Sequence, residues 1–114
     1  IQVLSDGTYL DLIWQQRSVD TPLGLPFNIA SYGLLLELIA KETGLIPNKL
    51  IGQLADVHIY ENQYETVLEQ LKREPLPLPK LNIKNFTSIF DWDPTQTELV
   101  DYNHLGVLKY PIAV

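Results

Sequence analysis

Cysteine is absent from all 114 residues. That excludes disulfides, thiolate metal ligands and a thiol nucleophile within this chain. Basic residues are scarce: eight Lys and Arg stand against fourteen Asp and Glu, a net charge of −6 with no basic run to offset it. A nucleic-acid backbone binder is excluded on that ground. A small anion is not, because one arginine in a cleft holds a phosphate against an acidic background. No apolar run reaches the roughly 18–20 residues of a membrane span, and no signal-peptide pattern opens the chain. Two histidines are too few to argue for a metal site. No glycine-rich phosphate loop, internal repeat or low-complexity segment is present.

What is there is globular. Apolar residues make up 46% and charged residues 19%, enough to build one modest core and at most one domain. The first residue is Ile1, within a strand-like pattern, so the chain is expected to be a piece of something longer.

Ile1–Val3 and Tyr9–Trp14 have β character, and Ser5-Asp6-Gly7 between them predicts a hairpin. On the second strand Leu10, Leu12 and Trp14 share a face, with Asp11 and Ile13 on the other. Gln15 to Ser18 then bring polar groups to the strand's end. Pro26 suits the first position of a helix running from Phe27 to about Thr43 and closed by Gly44. That helix is apolar nearly all round, a pattern that calls for burial within a larger body.

Pro47-Asn48 predicts a turn, and Leu50–Tyr60 a strand with His58 and Tyr60 side by side on one face. Glu61–Arg73 is amphipathic, with Tyr64, Val67, Leu68 and Leu71 as its stripe. Three prolines, at 75, 77 and 79, force an extended segment before a strand at Lys80–Ile83. A short helix at Phe86–Trp92, a loop at Pro94–Gln96 and a strand at Glu98–Tyr102 follow. The tail from Leu105 is apolar and is expected to dock against the body, since exposed tails are usually polar.

The candidate chemistry lies in Gln16–Tyr32, a strand-to-helix junction of the kind where ligand sites form in α/β proteins. Arg17 has the fork geometry for phosphate or carboxylate, and Ser18 adds a hydroxyl. Asn28 carries a donor and an acceptor on one amide, matching a ring that presents N–H beside C=O, as uracil does. Such edge reading discriminates strongly, because the wrong ring leaves buried groups unpaired. His58 and Tyr60 are placed to share a sugar hydroxyl. Together these describe a nucleoside monophosphate. The residues alone leave the bland reading open as well: an ordinary loop with an Arg–Asp pair, a buried structural histidine and a sheet-edge tyrosine.

A longer pattern goes further. Gln16-Arg17-Ser18-Val19-Asp20, with Leu23-Gly24-Leu25-Pro26-Phe27-Asn28-Ile29-Ala30-Ser31-Tyr32, closely resembles the signature of the thymidylate synthase family. So do Asp56-Val57-His58-Ile59-Tyr60, Arg73-Glu74-Pro75 with Pro79-Lys80-Leu81, Ser88-Ile89-Phe90-Asp91, and the ending Pro111-Ile112-Ala113-Val114. The matches keep family order from about residue 1 to the last.

The resemblance implies an α/β (α+β) layered fold of the thymidylate synthase type, a mixed β-sheet with a buried central helix, of which residues 1–114 are the C-terminal part of a single domain. It implies a cytoplasmic homodimer and the reductive methylation of dUMP to dTMP by 5,10-methylenetetrahydrofolate, without a metal. Arg17 and Ser18 would hold the phosphate, Asn28 the uracil edge, and His58 with Tyr60 the deoxyribose hydroxyl. Gln16 would order the nucleotide end of the cleft. Asp20 would serve both nucleotide and pterin. Leu23, Gly24 and Phe27 would line the folate side, and Ala113 with the Val114 carboxylate would close over it.

Departures matter as well. The family's cysteine, in a Pro-Cys-His element, and its upstream glutamate and arginines are not in this chain, so the segment alone is expected to be inactive. Ala55 stands where glycine is usual before Asp-x-His. Asn103-His104 lacks the family's proline, and His104 is given no role. Two other readings are carried: a non-catalytic nucleotide- or folate-binding module, and a nucleotide hydroxymethylase of the same superfamily. Asn28 argues against the latter, whose cytosine edge presents the opposite pattern.

Overall fold

A hairpin opens the chain, as the turn residues predict. In the computed structural model, which describes residues 1–4 and 6–113, β1 (Gln2–Val3) pairs antiparallel with β2 (Tyr9–Asp20), Gln2 opposite Asp11 and Val3 opposite Leu10. Leu4 N–H donates to Tyr9 O at 3.0 Å and Gly7 N–H to Leu4 O at 2.8 Å. Gly7 has φ 70°, a left-handed turn conformation that a Cβ would strain. Ser5, the first of the expected turn residues, lies outside the described residues.

β2 runs six residues beyond the expected Trp14. The polar stretch Gln15–Asp20 stays extended because β3 (Ile46–His58) pairs parallel with it up to Asp20 opposite His58. The backbone ladder holds that stretch, and hydrophobic alternation gives no sign of it. β3 starts earlier than predicted for a related reason. Pro47 and Asn48 are in the strand, not in a turn, beside a register shift between Leu10 and Leu12. There the buried Asp11 carboxylate accepts from Asn48 Nδ2 at 2.8 Å and from Lys49 N–H at 3.0 Å. Tyr60 lies just past the strand's end.

The helix α1 (Gly24–Thr43) joins β2 to β3. It starts three residues before the predicted Phe27, and Pro26 is its third residue, not its first. Proline is tolerated anywhere in the first turn, where the missing N–H has no intrahelical partner. Gly44 ends the helix at φ 69°, as its identity predicts.

Leu36 and Ala40 of α1 meet Leu10 and Leu12 of β2, with Tyr32, Ile39, Leu45 and Leu50 packed around them. Each of the three buried leucines contributes about 1.5–3 kcal/mol, and Ala40 less. The Trp14 ring stacks on Tyr32, centroids 5.2 Å apart, and crosses Gly52, its partner in register. The expected burial of α1 on all sides is not observed. Phe27 is 71% exposed and Ile29 46%, because the sheet covers only one side of the helix.

The second half is less regular. A 3-10 turn, Glu61–Gln63, leads into α2 (Tyr64–Leu71), which ends two residues short of the predicted Arg73. Its expected apolar stripe is largely uncovered: Leu71 is 75% exposed. β4 (Lys80–Ile83) and β5 (Thr97–Val100) form a separate antiparallel pair, Lys80 opposite Val100 and Ile83 opposite Thr97. The predicted loop Pro94–Gln96 is a 3-10 turn capped by Asp93.

No helix forms at Phe86–Trp92. Side chains take the amide donors there: Ile89 N–H donates to Glu42 Oε2 at 2.8 Å and Phe90 N–H to Ser88 Oγ at 3.2 Å. Side-chain acceptors that capture main-chain donors, Ser88 locally and Glu42 from α1, compete with helix formation here. No helix among the described residues is long and apolar enough to cross a membrane.

Candidate functional site

Parallel strands joined by a helix leave a crevice at the strands' C-terminal ends, where the helix begins. Most of the predicted site residues converge on that edge. Asp20 and His58 are lateral neighbours, the last pair of the β2–β3 ladder, and Thr21 N–H donates to His58 O at 3.0 Å. The Thr21 hydroxyl beside them is buried and has no partner among the described residues.

Gln16 ties the edge together. Its Nε2 donates to Ser18 O and to Asn28 Oδ1, both at 3.0 Å, and its Oε1 accepts from Trp14 Nε1–H at 3.2 Å. Asn28, in the second turn of α1, is thereby fixed to β2 with Nδ2 left as a donor. Its Oδ1 keeps a second lone pair. Gly24 separates Asn28 from Asp20. A methyl added there would lie 3.5 Å from Asp20 Cβ and 3.9 Å from Asn28 Oδ1, filling the gap between the two polar side chains.

His58 and Tyr60 do lie side by side, ring centroids 5.0 Å apart and edge to face. Asp56 holds the imidazole from below: its carbonyl oxygen is 3.1 Å and its Oδ1 3.4 Å from His58 Nδ1. Arg17 is placed differently. Strand alternation puts it on the opposite face of β2 from Gln16 and Ser18. It is exposed and makes no hydrogen bond or ion pair among the described residues.

Leu23 and Phe27 line a second feature, a cleft of about 640 Å³ between the β2–α1 junction, the proline segment after α2 and the tail from Tyr102 to Tyr110. Ser18, Asn28 and His58 do not line it. The tail forms one wall and docks through polar bonds. Arg73 Nη1 donates to Gly106 O at 2.8 Å, and the Tyr110 hydroxyl donates to Gln70 Oε1. Burial raises the Tyr110 phenol above its ordinary pKa, with the Arg73 charge opposing. Ala113 is half-buried, and Val114 lies outside the described residues. The tail's apolar side chains are less well covered than predicted, Ile112 being 76% exposed.

One residue the sequence reading passed over is central. Gln63, fully buried, donates from Nε2 to Asp20 Oδ2 at 3.2 Å and to Pro111 O at 3.3 Å, and accepts from Tyr60 N–H at 3.1 Å. A glutamine in a run of polar and acidic residues gives no sequence signal of burial. No group of three or more His, Asp or Glu among the described residues is arranged to hold a metal ion.

The mixed sheet and the crossover helix define an α/β protein with polar side chains gathered at a strand-to-helix junction. The thymidylate synthase family model matches residues 1–114, and the chain belongs to that family. It is 52% identical over 99 residues to the thymidylate synthase of Mycoplasma pneumoniae, covering 87% of this chain and 34% of the relative. It is 56% identical over 109 residues to the probable thymidylate synthase of Escherichia phage T5, covering 96% and 39%. It is 46% identical over all 114 residues to the thymidylate synthase of Mesoplasma florum, covering 39% of that protein. The chain thus spans little more than a third of the length of these relatives.

Proposed function

We propose that residues 1–114 are the C-terminal part of a single thymidylate synthase domain and supply much of its nucleotide and folate site. The reaction is the reductive methylation of dUMP to dTMP by 5,10-methylenetetrahydrofolate. The observation that carries this reading is the Gln16–Asn28 bond at the edge where Asp20 and His58 meet. It fixes a half-buried carboxamide that keeps one donor and one spare acceptor. A uracil edge needs both, N3–H to Oδ1 and O4 to Nδ2.

Each side chain then has a task. Asn28 reads the base, and Gln16 fixes its rotamer and keeps Oδ1 oriented as the acceptor. His58 and Tyr60 bind the deoxyribose hydroxyl, the imidazole held by Asp56. Ser18 offers its hydroxyl to the phosphate. Arg17, on the opposite strand face, is given to the phosphate by the family signature, as a one-bond or forked donor reaching around the edge of β2. Asp20 serves the pterin and the nucleotide, while Leu23, Gly24 and Phe27 form the folate wall. The tail through Ala113 closes over the pair and excludes water. No thiol is present in residues 1–114, so the nucleophile that adds to the pyrimidine comes from outside this segment, and the segment alone is inactive. We place the whole enzyme in the cytoplasm as a homodimer. The apolar side chains on the open sheet face, Ile13, Ile51 and Val57, each 37% or more exposed, support a second copy covering it.

The test is base preference. In the full-length protein, Asn28→Asp is expected to erase the preference for the uracil over the cytosine nucleotide in kcat/KM, by 100-fold or more. An unchanged preference removes Asn28 from the base-reading role and returns this edge to an ordinary packed junction.

A further inference from the structure

Gln63 uses every hydrogen-bonding group of its amide on three separate parts of the chain. Its Oε1 accepts from the Tyr60 backbone at the end of β3. One Nε2 proton reaches the Asp20 carboxylate, 3.2 Å from Oδ2 and 3.4 Å from Oδ1. The other reaches the Pro111 carbonyl of the tail at 3.3 Å. With the tail docked the side chain has no solvent exposure, so every donor it carries must find its partner within the protein, and a buried donor left unpaired is costly. Asp20 in turn accepts from Leu23 N–H at 3.1 Å, at the start of α1.

We propose that Gln63 is a positioning residue that makes tail docking and the orientation of the Asp20 carboxylate a single event. With Pro111 in place, the amide plane is fixed and its second proton points at Asp20. If the tail leaves, the N–H bonded to Pro111 loses its acceptor and the contact that fixes the amide plane, and the amide is free to turn toward the solvent that enters, which releases Asp20. Coupling of this kind is reciprocal. Whatever fixes Asp20 favours a docked tail. The consequence for turnover rests on the proposed role of Asp20 at the nucleotide and pterin. The coupling itself needs no ligand.

The experiment is amide hydrogen exchange by NMR on the full-length protein without ligand. Gln63→Met keeps the length and approximate volume of the side chain but removes both donors and adds no charge beside Asp20. Exchange at the tail amides between Gly106 and Ala113, and at Leu23, is expected to rise at least tenfold. The amides of the β2–β3 ladder are expected to stay within a factor of two. A residue that only fills space would show no such change with this variant, so unchanged tail exchange overturns the proposal.

The converse measurement leaves Gln63 in place and so does not depend on how the variant folds. Truncation after Tyr110 is expected to abolish the slow exchange of the Gln63 Nε2 protons and to speed the Leu23 amide. Retained protection of both overturns the coupling. Either failure leaves the base-reading assignment of Asn28 standing, and loss of that assignment leaves these exchange results unaffected.

Discussion

The β2–α1–β3 unit and the chain from Lys72 onward are held together by different means. In the first, a ladder from Tyr9–Ile46 to Asp20–His58 and one apolar cluster act together. No single contact decides whether the unit exists. In the second, a two-stranded pair and a tail are fastened by individual side chains: Glu42 to Ile89, Arg73 to Gly106, Gln70 to Tyr110 and Gln63 to Pro111. Ladder-held backbone opens only with the whole fold, whereas backbone held by single polar bonds opens locally at much lower cost. Residues that must hold a fixed geometry, such as Asn28 and Asp20, belong on the first. A segment that must open and close belongs on the second.

The sharpest way to break this contrast is to damage the rigid unit at one atom. A Cβ on Gly52 would lie 2.5 Å from the Trp14 ring, and Trp14 cannot yield without losing its stack on Tyr32. Gly52→Ala is expected to destabilise the whole fold by about 1–3 kcal/mol, read as a lower midpoint in urea with the slope unchanged. A midpoint equal to that of the parent would mean the Trp14 contact is loose and the unit less rigid than drawn.

Asp11→Ala should cost somewhat less, about 1–2 kcal/mol. It strands the donors of Asn48 and Lys49 where the ladder shifts register, but both residues are exposed and water can partly replace the carboxylate. The same denaturation measurement checks it, and a neutral result would assign the register shift to backbone pairing alone.

Arg73→Ala tests the other side of the comparison. It removes the bond to Gly106 O, with an expected local cost of about 0.5–1.5 kcal/mol. Exchange should speed several-fold at tail amides while global stability stays unchanged. A global loss instead would show that the tail is part of the cooperative unit.

The same division explains how much the sequence disclosed. The hairpin, α1 and its glycine stop, and β4 follow from turn residues and periodicity, because local chemistry and the final fold agree there. The last six residues of β2 were hidden, since their extension is imposed by β3 across the crossover and not by their own pattern. The helix expected at Phe86–Trp92 was lost to Glu42, a residue more than forty positions away. At the site, the family signature put Gln16, Ser18, Asp20, Asn28, His58 and Tyr60 on the list, and the strand ends bring most of them together. Gln63 was invisible because nothing in Glu-Asn-Gln-Tyr-Glu marks its third residue as buried. The uncovered faces of α1 and α2 show the limit of periodicity: it tells which side is apolar and not what covers it.

The smallest effect separates the two regions by pH. Burial disfavours the charged phenolate of Tyr110 and raises its pKa above the ordinary value near 10, while the positive charge of Arg73 pulls the other way. A group whose folded pKa is raised binds its proton more tightly in the docked state. Its contribution is therefore complete below the unfolded pKa and is lost as pH rises through the folded one. Docking should be insensitive to this phenol through neutral pH and weaken only above about 10. A carbon-13 NMR titration of the tyrosine rings reads this directly. Tyr110 should titrate above the ordinary phenol value near 10, and Tyr110→Phe should remove that transition. If Tyr110 instead titrates at the ordinary phenol value, its hydroxyl is already in water, the bond to Gln70 does not fasten the tail, and the tail depends on Arg73 and Gln63 alone.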